Sequence, residues 1–267
     1  MPDEPKYFGE GLPYLKPFEV KGKLIVVEGT DGSGRSTQIE LLRSWLEVRG
    51  YATLETGWAR SSLMHDAIER AKQGNFMDRM TFALFYATDF ADRLENQIIP
   101  ALKSGHIVIA DRYVYTAFAR DIVRDPDQAW IRDLYGFAIV PDLVLYLKMD
   151  IETLVERVVE SGGINYREAG LDLHMGQDLF DSFVNYQSNL IAQYDKLAKE
   201  FGFTVVDATC GVEDIQALIQ KAVTAILEKP DAESVKAKEE TPGAELTGDE
   251  RLETGDQRPE ARKRKGE

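Results

Sequence analysis

An α/β fold with a parallel sheet of about five strands and helices on both faces is predicted by three observations. Short β-branched apolar runs alternate with helix-period stretches, the pattern of consecutive βαβ units. The first run opens directly into a glycine-rich turn followed by a helical stretch, "LIVVEGTDGSGRST" (24–37). The chain has 267 residues and 43% hydrophobic content, enough for one large domain with its own core.

The elements follow in order. Residues 1–20, rich in Pro, Gly and charge, read as an irregular extension. Strands are expected at "KLIVVE" (23–28), "YATLE" (51–55), "HIVIAD" (106–111), "DLVLYLKM" (142–149) and "FTVVDA" (203–208), each a compact apolar run rich in Val and Ile. Helices are expected at 37–49, 61–73, 78–103, 151–160, 178–201 and 212–228, where apolar residues recur every three or four positions. The main domain then spans 21–229, and Gly162 and Gly163 interrupt its helical pattern. From 230 to 267 large apolar side chains are nearly absent, so ordering could not be repaid and a disordered charged tail is expected. In such sheets ligands sit at the carboxyl ends of the strands, which directs attention to the residues after each one.

The turn after the first strand matches the phosphate-loop pattern G-x-x-x-x-G-K-[ST] at Gly29, Gly34 and Ser36, but Arg35 stands in the lysine position. Its context, strand then turn then helix, is the P-loop NTPase-type arrangement. Main-chain amides of Gly29, Thr30, Asp31, Gly32, Ser33, Gly34, Arg35, Ser36 and Thr37 are therefore expected to cradle the phosphates of a nucleotide, aided by the positive end of the helix. Ser36 would place its hydroxyl on Mg²⁺. Arg35 keeps a permanent charge and bridges oxygens bidentately, yet it is bulkier than an ammonium, so anion binding should survive better than fast transfer. A dinucleotide fingerprint is disfavoured because Thr37 occupies the place of its third glycine.

Composition excludes several classes. A net charge of −14 argues against a partner that is a nucleic-acid polymer. One cysteine, Cys210, allows no internal disulfide, and His65, His106 and His174 share no metal-ligand spacing. Neither a leader nor a membrane span is visible, so a cytoplasmic location is expected.

A second signature, "IADRYVYTAFARD" (109–121), places Asp111, Arg112 and Tyr113 at the end of the third strand. Together with "VVEGTDGSGRSTQ", it resembles the thymidylate kinase family, whose members carry a phosphate loop and later a D-R-[YF] triplet; the likeness runs from 23 to about 210. The resemblance implies a nucleoside monophosphate kinase that moves the γ-phosphoryl of ATP to dTMP with Mg²⁺. It implies Glu28 and Asp31 flanking the loop, with Asp31 toward the acceptor sugar. It implies a small mobile lid at about 160–177, Asp111 organising Mg²⁺ through water, Arg112 holding the acceptor phosphate with Tyr113 beside it, and Arg157 and Arg167 of the lid assisting transfer along with Arg35. Tyr86 is the expected base-stacking ring, and homodimers through long helices are implied.

Several positions depart from the family pattern. "LETGWARSS" lacks the usual proline after the second strand, Phe90 falls where an arginine is expected with Arg93 one turn on as its substitute, and Arg120 and Asp121 replace Tyr and Gln near the base. Two alternatives follow: a kinase for another phosphorylated acceptor, or a nucleotide-binding protein without turnover.

Overall fold

The computed structural model describes residues 4–74, 78–123, 127–160, 173 and 175–228. Five strands, β1 (Lys23–Gly29), β2 (Thr53–Gly57), β3 (Ile107–Asp111), β4 (Leu143–Lys148) and β5 (Thr204–Asp207), form one wholly parallel sheet in the order β2-β3-β1-β4-β5. The helices are α1 (Arg35–Val48), α2 (His65–Gly74), α3 (Arg79–Arg93), α4 (Ile99–Lys103), α5 (Val114–Val123), α6 (Gln128–Leu134), α7 (Ile151–Glu160), α8 (Leu179–Phe201) and α9 (Val212–Leu227).

Both faces of the sheet are covered, which is why β1 reads as a continuous apolar run instead of an alternating one. Its residues divide by parity. Leu24 and Val26 pack with Val108, Ala110 and Tyr146 under α3, α5 and α8, while Ile25 and Val27 pack with Ile109, Leu145 and Leu147 under α1 and α9. Each such fully buried side chain contributes about 1.5–3 kcal/mol relative to leaving it in water. β1 lies at the sheet's centre, where the winding reverses, so the ends of β1 and β3 open into the crevice that such sheets use for ligands.

The structure differs from the sequence expectation in three places. The helix expected over 78–103 is α3, a π-helical turn at Leu94–Ile98, and α4. Pro100 lacks an amide hydrogen and cannot continue the α-helical ladder, and the wider turn accommodates that break. α5 and α6 were not expected as helices. α5 is buried on nearly all sides, with Val114, Tyr115, Ala117, Phe118 and Ala119 all under 5% exposed, so no polar face marks its period. Finally, α2 starts at His65, four residues late, because Ser61 Oγ accepts from the amides of Leu63 and Met64 and holds a turn there.

The amino-terminal extension is irregular but docked. Tyr7 bridges Ile139, the Phe8 amide donates to Ala138 O at 3.0 Å, and the Phe8 ring meets Tyr115 and Phe118 edge-on. The expected tail (230–267) and most of the expected lid (161–172 and 174) lie outside the described residues.

Candidate active site

The loop between β1 and α1 is built by glycine. Gly32 and Gly34 sit at φ 83° and 85°, the left-handed region that other residues avoid, and Gly34 is the N-cap of α1. A Cβ on Gly32 would come within 3.2 Å of Leu154 and Val158, so α7 packs directly on the loop. Thr30 and Ser33 are almost wholly buried within the loop. Thr30 Oγ1 is buried without a partner, a polar atom aimed at nothing the protein supplies. Ser36 and Thr37 are exposed on the first turn of α1, where amides and the helix dipole favour an anion. These features fit a triphosphate.

Arg35 lies over this loop but is bound to protein oxygens. Nη1 donates to the Gly29 carbonyl at 2.7 Å and to that of Thr30, Nε donates to Asp111 Oδ1 at 2.9 Å, and Nη2 lies 3.7 Å from Asp31. Burial disfavours its charge, but Asp31 and Asp111 outweigh burial and raise its pKa further. Arg35 therefore holds Asp111 and the loop together.

Beside the loop lies an ionic cluster around Asp31 and Asp111. Asp31 accepts from Arg112 and, at 3.1 Å, from Arg120; Asp111 Oδ2 accepts from Arg60 at 3.4 Å. Burial would raise the Asp31 pKa, yet Arg112, Arg120 and Arg35 reverse this and hold it well below the usual carboxylate range. Burial and the nearby Arg35 instead lower that of Arg112. Four guanidinium groups thus face three carboxylates, those of Asp31, Asp111 and Glu55, a small surplus of positive charge that suits a phosphate.

Arg112 is placed by the chain itself. Its φ is +69°, a conformation costing about 1–3 kcal/mol for a residue with a side chain. Neighbouring bonds over-determine it: its amide donates to Val27 O at 3.0 Å, and Glu28 accepts from the Tyr113 amide and from Thr116 and Tyr194 hydroxyls. Glu28, expected at the flank of the loop, is fully buried, and burial raises its pKa despite those three donors. It fixes the turn that carries Arg112.

Two expected site residues, Tyr113 and Arg93, turn into the core, and Arg157 lies against the loop itself. Tyr113 is fully buried, its hydroxyl donating to Ile139 O at 2.8 Å and its ring edge-on to Phe90, so it belongs to the core. Arg93 is also fully buried and pairs with Asp89 at 3.0 Å; Asp89 in turn accepts from the amides of Ala59 and Ser61. The helical spacing that suggested Arg93 as a ligand instead turns it inward, where it anchors the loop after β2. Arg157, expected at the transfer point, donates to Ala208 O at 2.9 Å and approaches Gly34, on the side of the loop where β5 ends. Arg167 lies outside the described residues.

Arg60 is the residue that sequence reading passed over. Half-exposed, it folds across Gly57 to reach Glu55 and Asp111; a Cβ at position 57 would lie 2.9 Å from its Nε. The available signal was an arginine three residues past a glycine at a strand's carboxyl end. Tyr86, half-buried, stacks on Trp58 with centroids 5.5 Å apart and planes 18° apart. The side chain of Asp121 is outside the described set.

Among the described residues no three His, Cys, Asp or Glu side chains converge as metal ligands. The exposed Ser36 hydroxyl and the Asp111 carboxylate are hard oxygen donors of the kind Mg²⁺ takes when phosphates and water complete its shell. Among the described residues no helix is long and apolar enough to cross a membrane.

Comparison with known proteins agrees with this geometry. A profile described as thymidylate kinase matches residues 27–219. "Probable thymidylate kinase 2" of Saccharolobus solfataricus is 44% identical over 204 residues, covering 76% of this chain and 95% of the relative. "Probable thymidylate kinase" of Thermococcus gammatolerans is 33% identical over 204 residues, covering 73% and 92%. "Thymidylate kinase" of Caldicellulosiruptor saccharolyticus is 28% identical over 223 residues, covering 79% and all of the relative. With a glycine loop on a helix N-terminus beside an arginine-rich pocket, and these relatives spanning both, the chain belongs to the thymidylate kinase family.

Proposed function

We propose that this protein transfers the γ-phosphoryl group of ATP to dTMP, giving dTDP and ADP, with Mg²⁺. One observation carries the reading. At the adjacent ends of β1 and β3, a main-chain cradle for one anion meets a guanidinium cluster for a second. Phosphoryl transfer between two anions is catalysed chiefly by positioning and charge neutralisation, which is what these two halves supply.

In this reading the amides of residues 29–37 hold the donor phosphates, and Arg112 and Arg60 take the acceptor phosphate. Asp31 orients Arg112 and Arg120 and stays ionised because they surround it. Arg35 exchanges its bonds to the Gly29 and Thr30 carbonyls for phosphate oxygens, while its tie to Asp111 keeps it over the junction between donor and acceptor. Ser36 and Asp111 would hold Mg²⁺, which would supply charge neutralisation on the donor phosphates. A cytoplasmic homodimer, as the family resemblance implies, completes the proposal, and sedimentation of the purified chain checks the dimer.

The test is a screen. Purified protein with Mg·ATP is offered each common nucleoside monophosphate, and products are separated by ion exchange. A clear preference for dTMP is expected. Preference for another acceptor would replace dTMP in this proposal, and no product from any of them would leave only nucleotide binding.

A further inference from the structure

We infer that Tyr194 is a positioning residue for the acceptor step, its hydroxyl acting through Glu28 to tie α8 to Arg112 and Arg120, the two arginines that flank Asp31. The inference deepens the kinase reading above and rests on it for the role of Arg112. Residues 112–120 dock on the end of β1 at four points that alternate between two carboxylates. Arg112 donates to Asp31, and the Tyr113 amide donates to Glu28 Oε1 at 2.8 Å. One turn on, the Thr116 hydroxyl donates to Glu28 Oε2 at 2.7 Å, and a turn beyond that Arg120 reaches Asp31 at 3.1 Å. Thr116 and Arg120, four residues apart, share one face of α5. Glu28 therefore grips both the strained turn and the start of the helix, so its placement aims both guanidinium groups at once.

Tyr194 joins this network from a different element. Its hydroxyl donates to Glu28 Oε2 at 2.9 Å and lies 3.0 Å from Thr116 Oγ1, while its ring stacks on Tyr146 with centroids 5.3 Å apart, which fixes the direction of the hydroxyl. Those bonds go to neither guanidinium, although Arg112 and Arg120 both lie within electrostatic range of the phenol. Its influence on them passes through the carboxylate. Glu28, Thr116 and Tyr194 are all buried, so water cannot replace a lost donor. Burial raises the Glu28 pKa, and the bonds from Thr116, Tyr113 and Tyr194 and the charge of Arg112 oppose it. Without the phenol hydroxyl, Oε2 keeps Thr116 alone, the charge that grips the Tyr113 amide weakens, and the Arg112 turn at φ +69° relaxes. Arg112 Nε is buried without a partner in the protein, so the aim of this donor depends on that turn.

The experiment is a double-mutant cycle in the full chain. Tyr194→Phe keeps the ring and its stack on Tyr146 and removes one oxygen. It is expected to lower kcat/KM for dTMP about 10-fold, the scale of one hydrogen bond to a charged group, while calorimetric ATP affinity stays within about twofold. In an Arg112→Ala background the same change is expected to cost about twofold or less, because the main group it aims is gone. Thr116→Val, which removes the other hydroxyl on Oε2, is expected to repeat the pattern. A full loss in both backgrounds, a Tyr194→Phe protein with the parent's kcat/KM, or dTMP and ATP constants worsening together would overturn the inference. A readout without ligand keeps it apart from the proposed reaction: in NMR spectra the Arg112 Nε–H signal is expected to shift in Tyr194→Phe while that of Arg157 stays in place. A parent protein that leaves dTMP unphosphorylated, with the Arg112 signal still shifting in the variant, would contradict the activity and not the positioning. An unmoved Arg112 signal would contradict the positioning whatever the acceptor.

Discussion

In the proposed function the two sides of the crevice hold anions by opposite means. On the donor side the binding groups are main-chain amides, and the sequence's task is to remove side chains: Gly32 and Gly34 admit the turn and Ser36 and Thr37 stay in solvent. On the acceptor side the binding groups are long side chains, and the sequence's task is to restrain them. Arg112 is fixed by its own strained turn, Arg60 by Gly57 and Asp111, and Arg120 by Asp31. A backbone cradle tolerates substitution at most of its positions, because the amides remain. A side-chain cluster fails at each member, because every charge there is another's partner. Arg35 belongs to both sides, bonded at once to loop carbonyls and to the acceptor-side carboxylates.

That contrast ranks the consequences of mutation. Arg112→Ala is expected to have the largest effect, lowering kcat/KM for dTMP on the order of 10³-fold, the scale of losing a guanidinium from a phosphoryl-transfer site, with calorimetric ATP affinity nearly unchanged. Equal loss of ATP affinity would mean that the two sides are not separable. Next is Asp89→Ala, which strands the buried Arg93 charge and frees the loop after β2. A destabilisation of about 3–5 kcal/mol is expected in urea unfolding. An unchanged midpoint would remove Arg93 from the structural role given to it here.

Arg35→Lys sharpens the boundary between the sides. A lysine keeps the charge but releases the fork shared by Asp111 and the loop carbonyls, so turnover is expected to rise a few-fold, worth about 1 kcal/mol, with little change in ATP affinity. Slower turnover would show a site built around the guanidinium.

The smallest effect concerns acid stability. The folded carboxyl of Asp31 titrates below its unfolded value of 3.8, so its contribution is present above that pH and lost as pH falls through the folded value. The stability gap between the parent protein and Asp31→Asn should therefore narrow below about pH 4 in denaturant titrations. A gap that stays constant to pH 2 would argue against the ionic pairing.

The same contrast explains what could be read from the sequence. A loop that works through its backbone advertises itself by glycine spacing, and β1, the turn and α1 were legible to within two residues. The strands were legible because burial on both faces leaves unbroken Val and Ile runs. α5 was illegible for the related reason that a helix buried all round loses its polar stripe. On the acceptor side, spacing alone could not say which way a charge points. Arg93 and Tyr113 occupy suitable positions in the chain but turn inward, toward Asp89 and the Ile139 carbonyl. Arg60 carries no motif and gains its place only because β2 and β3 are neighbours in the sheet.

A single-turnover assay decides whether the two sides act as one machine. Protein in excess over γ-labelled Mg·ATP is mixed with dTMP and quenched over time. Label is expected to pass into dTDP in one phase, and to remain in ATP when Arg112→Ala replaces the parent protein. Label staying in ATP with the parent protein, while calorimetry shows that both nucleotides bind, would mean that the loop and the guanidinium cluster hold their anions without bringing them together.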